Sequence, residues 1–147
     1  PRRVRAMNDE DLESLMGDTR IIRHWGKIKS VRANAAAMCD LADEEGGFGA
    51  WLAAWPEDDI VGLWADMAKR FSQMGGASTP WFLRMSGKDT FLLTRDVVRA
   101  LNDAGVATGK LNGKKDRALV QAAFNDWHAE TGLPLCQLSL ILAISVG

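Results

Sequence analysis

Only two cysteines, Cys39 and Cys136, occur in the 147 residues. They lie far apart and neither has a CxxC neighbour, which excludes a zinc site or an iron–sulfur cluster held by cysteines alone. Each falls within an apolar helical pattern, so the expectation is of two buried free thiols, as suits a reducing cytoplasm. Charge of one sign is not in excess either. The 18 Lys and Arg nearly balance the 19 Asp and Glu, and a net charge of −1 announces no nucleic-acid partner. No apolar run is long enough to span a membrane, Leu138 to Val146 being far too short, and there is no secretory signal pattern. Repeats, low-complexity tracts and linkers are missing as well. With 47% hydrophobic and 25% charged residues, the chain reads as one ordinary globular domain over residues 1–147, monomeric and cytoplasmic, with no cofactor and no metal. It opens "PRRVRAM", without an initiator methionine, and is expected to be a fragment of a longer chain.

The charge that is present is unevenly spread. Arg20, Arg23, Lys27, Lys29 and Arg32 follow one another with no acid between them, whereas acids gather at Asp9, Glu10, Asp11 and Glu13 and again at Asp40, Asp43, Glu44 and Glu45. Such a basic run is either a solvated helix face or a local attraction for phosphate.

Helix signals cover most of the chain. Asn8 is suited to cap a helix reaching Leu15 or Met16, ended by Gly17. A longer helix is predicted from about Trp25 to Glu45, with Ile28, Val31, Ala35, Met38 and Leu41 or Ala42 in one apolar stripe and Gly46 and Gly47 as its stop. "FGAWLAAWP" reads as a short helix closed by Pro56, and Asp58 or Asp59 starts another to about Phe71. Ser78 is predicted to cap a helix with Pro80 in its first turn, ending near Ser86. Thr94 caps the next, which Gly105 ends. The polar loop "GVATGKLNGKK" leads to a helix over roughly Lys114 to Glu130, with Leu119, Val120, Ala123, Phe124 and Trp127 inward. Pro134 opens a last, apolar helix to Ser145. "TFLLT" has strand character but stands alone and reads as an extended connector. The fold class is therefore all-α, with seven or eight helices.

The stretch "QMGGASTPWFLRMSGKDTFLLTRDVV", Gln73 to Val98, carries the chemistry. Gly75 and Gly76 permit positive φ and leave backbone N–H groups uncovered, and the helix start after them adds free amides and a dipole. That combination is a ready phosphate site; it is also a plain turn between antiparallel helices. Asp96 lies in the first turn of the helix after Thr94, where its anion is stabilised. One reading makes it a helix-start residue. The other makes it a wanted carboxylate, since Lys88, Arg95 and Arg99 surround it with positive charge.

In order and spacing these residues resemble the helix-hairpin-helix DNA glycosylase superfamily. In that superfamily a glycine-turn hairpin grips a DNA phosphate, then come the second hairpin helix, an extended connector and a catalytic aspartate opening the next helix. The counterparts here are "MGGAST", "TPWFLRMSG", "KDTFLLT" and Asp96 in "RDVV", twenty positions beyond Gly76. The earlier stretch "TRIIRHWGKIKSVRANAAAM" resembles the pattern I-I-R-x-x-x-K-I-x-x-x-x-x-N-A of the 3-methyladenine DNA glycosylase I branch. The resemblance runs from about Val4 to Val98 and more loosely beyond. Strand-cleaving members carry a lysine where this chain has Ser78, so a Schiff base there is unavailable. The hairpin has adjacent glycines in place of GxG, no four-cysteine cluster follows, and the zinc ligands of the 3-methyladenine branch are missing. That branch's base-pocket residues lie N-terminal to Pro1, and it does not rely on an acid at the position of Asp96.

The resemblance implies a glycosylase-like domain, all-α and containing a helix-hairpin-helix, that binds double-stranded DNA. It would flip out an alkylated purine such as 3-methyladenine and hydrolyse its N-glycosidic bond without cutting the strand. Asp96 would stabilise positive charge on the sugar or orient water. Gly75, Gly76, Ala77 and Ser78 would hold a phosphate, with Lys88, Arg95, Arg23 and Lys27 as further phosphate contacts. Trp25 is the candidate for base stacking; the other five tryptophans are expected in the core. His24 and His128 are expected at the surface, and the rival acid Asp89 hydrated there. Asp96 should face an open cleft on the side of the glycine turn. The alternatives are a non-catalytic helix-hairpin-helix DNA-binding module and a helical protein-interaction domain.

Overall fold

A computed structural model describes residues 1–146. Among them every regular element is helical: α1 (Arg2–Arg5), α2 (Asp9–Ser14) running into a 3-10 turn (Leu15–Gly17), α3 (Trp25–Glu44), α4 (Phe48–Ala54), α5 (Ile60–Arg70), α6 (Ser78–Met85), α7 (Arg95–Asp103), α8 (Lys114–Thr131) and α9 (Leu135–Ser145). The count exceeds the expected seven or eight chiefly through α1, four residues with no capping side chain to mark their start. The chain divides into two compact units. One comprises Pro1–Trp55 with Asp66–Gly75, the other Pro56–Ala65 with everything from Gly76 onward, so α5 contributes to both.

In the first unit α1, α2 and α4 pack on α3. Asn8 caps α2 as a full capping box, its side chain accepting from the Asp11 amide at 2.8 Å while Asp11 accepts from the Asn8 amide at 2.9 Å. The buried residues of α3 do not form one stripe. Ile28, Ala35 and Cys39 lie on one face, and Ser30 and Leu41 on the roughly opposite one. A helix with neighbours around it needs two buried faces, and Val31, between them, is 56% exposed. Aromatic rings close the unit: Phe48 packs edge-on to Phe71 at 5.7 Å and near Trp51 at 5.6 Å. Arg70 lies over Trp51 and pairs with Asp66 and Glu44.

In the second unit α9 packs on α7 and α8. The connector between α6 and α7 has neither helix nor strand, as expected, yet it is the centre of the core. Thr90 and Phe91 are fully buried and Leu92 nearly so. Phe91 stacks on Phe124 at 4.2 Å and meets Trp64 at 4.8 Å. Buried extended backbone must find partners outside a sheet, and here it uses side chains. The Ser139 hydroxyl accepts from the Leu92 amide at 3.0 Å and donates to the Leu92 carbonyl. Arg84 donates to the Thr90 carbonyl, and the Thr90 hydroxyl receives the Trp64 indole N–H.

Asp89 is not the hydrated surface acid that its connector position suggested. Its two carboxylate oxygens accept from the Leu135 and Cys136 amides at 2.7 and 2.8 Å. Pro134 heads α9 and offers no capping side chain, so an acid from 46 residues earlier does the capping. Asp89→Ala should lower the unfolding free energy by about 1–2 kcal/mol, read from urea denaturation; a change below about 0.5 kcal/mol would remove that role. Burial, then the hydrogen bond to Asp89, pushes the Cys136 thiol up from its ordinary pKa. Cys136 is half-buried, Cys39 buried, and both are free. Leu119 departs from expectation at 54% exposure, because the line of buried Val120 and Phe124 and half-buried Trp127 lies about 100° away around α8.

Candidate functional site

Between α5 and α6 the chain takes left-handed conformations at Gln73 (φ +66°) and Gly76 (φ +60°), but not at Gly75. A Cβ on Gly76 would meet nothing within 4 Å, so glycine is required there by backbone conformation and not by space. Ser78 does not cap α6. Ala77 already has helical torsions (φ −80°, ψ −12°), which makes Ser78 the first helical residue, and the N-cap position supplies no side-chain hydrogen bond.

Gly76 and Ala77, with Pro80 and Trp81, line a cleft of about 260 Å³ whose other lining includes Trp64, Leu92, Leu93 and Thr94. Lys110, Asn112 and Arg117 complete it. Thr94 caps α7, its hydroxyl accepting from the Val97 amide at 3.3 Å. No carboxylate lines this cleft. Asp96, in the first turn of α7, is 56% exposed at its side chain and sits 4.0 Å from the guanidinium of Arg95, itself 97% exposed. Asp96 and Arg95 therefore lie beside the cleft in sequence but outside its lining, and Ser78 faces solvent. Lys88 lines a second cavity of about 580 Å³ with Glu57, Asp58, Asp89 and His128.

The remaining expected residues belong to the first unit. Arg23 and Lys27 are exposed. His24 caps α3, its Nδ1 accepting from the Lys27 amide at 3.3 Å. Trp25 is half-buried, with Lys29 Nζ 5.3 Å from its ring centroid. Asn34 fixes the chain where it leaves α5, accepting from the Ser72 amide at 2.7 Å and donating to the Ser72 carbonyl at 3.1 Å. No three His, Cys, Asp or Glu residues gather to hold a metal among the described residues. None of the described helices is long and apolar enough to cross a membrane.

Residues 1–78 match the family model of methyladenine glycosylases. The chain belongs to the methyladenine glycosylase family. No curated protein and no solved structure matches it. The family match runs through α1 to α5, includes Asn34 and its anchor Ser72, and stops at Ser78; Asp96 and most of the cleft lie beyond it. Four polar cleft residues carry no functional mark in the sequence, Arg117 among them as one more cation of α8. Trp81 looked like core by helical spacing but is 49% exposed. Lys110 and Asn112 sat in a loop that read as merely polar, although Leu111 between them is fully buried.

Proposed function

We propose that this protein is a monofunctional DNA glycosylase that hydrolyses the N-glycosidic bond of an alkylated purine, 3-methyladenine-like, in double-stranded DNA and leaves the strand uncut. The observation that carries this is the family match over residues 1–78. The unit α5–turn–α6 serves as a helix-hairpin-helix, with the backbone at Gly75, Gly76, Ala77 and Ser78 holding a phosphate. Lys88, Arg95, Arg23 and Lys27 add phosphate contacts, and Trp25 stacks on a base once Lys29 leaves its ring.

Asp96 is the catalytic carboxylate in this reading. No acid lines the cleft, and Asp96 is the first-turn acid of the helix whose cap, Thr94, does line it. Its anion would offset positive charge building on the sugar as the base departs, or orient the attacking water. A cationic alkylated base is already a good leaving group. Ser78 has no amine, so no Schiff base forms at that position. Asp96's exposure outside the cleft lining favours the rival reading, a non-catalytic DNA-binding module.

Methylated duplex DNA decides between them. The full-length protein should release 3-methyladenine as free base, leave strands unbroken until alkali is added, and give no covalent adduct with borohydride. Absence of base release leaves the binding-module reading. A nick or a trapped adduct ends the monofunctional one.

A further inference from the structure

Four polar side chains of the Gly76 cleft have no polar side-chain partner among the described residues. Among the described residues Lys110 and Arg117 form no ion pair, and neither the Asn112 amide nor the Trp81 indole N–H makes a side-chain hydrogen bond. The other arginines of this unit, Arg84, Arg95 and Arg99, all have acceptors. The Nε of Arg117, like that of Arg84, is also shut off from solvent with nothing to accept from it. Arg84 still donates through its Nη2 to the Thr90 carbonyl, whereas Arg117 has no acceptor among the described residues. Two cations without a counterion, beside a half-exposed indole with no ring contact, ask for a ligand that is both anionic and flat.

The loop carrying Lys110 and Asn112 is held ready for such a ligand. Leu111 is kept at φ +52° while completely buried. A leucine avoids that conformation unless its surroundings over-determine it, and such strain collects at binding sites. Asn102 supplies the other anchor: its side chain accepts from the Gly109 amide at 2.6 Å and donates to the Gly109 carbonyl at 3.1 Å. Clamped at Gly109 and plugged by Leu111, the loop holds Lys110 and Asn112 toward the cleft before any ligand arrives, which lowers the cost of ordering them on binding.

We propose that this cleft seats one unpaired nucleotide of a DNA strand, its phosphate toward Lys110 and Arg117 and its base on Trp81. Its volume, about 260 Å³, lies below the roughly 300–1,000 Å³ of drug-sized pockets and suits a single nucleotide. An indole stacks on a base only where the base face is uncovered, so the site selects unpaired nucleotides over those in a continuous duplex. The cleft shares with the function above the premise that DNA is the ligand. It requires no damaged base and no catalysis.

The test uses undamaged DNA. Fluorescence anisotropy with an oligothymidylate of about a dozen residues should show binding roughly tenfold tighter than to an abasic strand of equal length and charge. Trp81→Ala should remove that advantage and leave abasic binding unchanged. Lys110→Gln or Arg117→Gln should weaken both strands alike and lower the salt slope by about 0.7. If Trp81→Ala fails to fold, Trp81→Phe should keep the preference and Trp81→Leu lose it. Equal affinity for the two strands, or a preference untouched at Trp81, overturns the proposal. Base release is scored separately on methylated duplex, so a protein that binds the oligothymidylate as stated but frees no base sinks the glycosylase reading alone.

Discussion

Asp96→Asn is expected to slow release of 3-methyladenine from methylated duplex DNA by about a hundredfold at saturating DNA, with affinity for undamaged duplex unchanged within about twofold. The substitution keeps the size and planarity of the side chain and removes only its charge. If that charge acts on the transition state, the loss falls on kcat and not on KM. A positively charged leaving base already weakens the glycosidic bond, so the loss belongs near the low end of what a removed electrostatic stabiliser costs. The fold has little at stake. Thr94 still caps α7, and an exposed acid in a first turn contributes about 0.3–1 kcal/mol. An unchanged rate of base release in a folded Asp96→Asn protein would eliminate Asp96 as the catalyst.

Phe91→Ala is expected to destabilise the protein by about 3–5 kcal/mol. Phe91 is fully buried, stacked on Phe124 and edge-on to Trp64. Alanine would forfeit the transfer energy of the ring and both ring contacts and leave a cavity. The backbone there depends on side chains from α6 and α9, so it has little freedom to collapse into the gap. Against a typical total of about 5–15 kcal/mol, that loss leaves a marginal fold. Chemical denaturation measures it; a change below about 1 kcal/mol would show that the connector is not the centre of its unit.

Local rules made the helices legible. Asn8, Thr94, Gly105 and Gly132 mark ends that the structure has, because capping and left-handed stops are written in neighbouring residues. Failures arose where a distant partner decides. Asp89 looked hydrated because its amides lie 46 and 47 residues away. Val31 and Leu119 fitted a helical period whose phase is set by surrounding helices. Lys110 and Asn112 could not be recognised as cleft residues without Leu111's burial, which no polar-loop pattern reveals. Of the residues with a candidate role in the sequence, Gly76 and Ala77 meet at the cleft, together with Thr94, whose sequence context marked it only as a helix cap.

The hydrogen bonds that tie Asp89 and Leu92 to α9 also bear on biosynthesis. The first unit has all its residues once Gly75 is made. The connector of the second, with Phe91 at its middle, leaves Leu92's backbone unpaired until Ser139 arrives. On the ribosome that unit must therefore wait for the last helix, and a message cut short before α9 would yield a first unit joined to an open aromatic core, a natural client for chaperones and proteases.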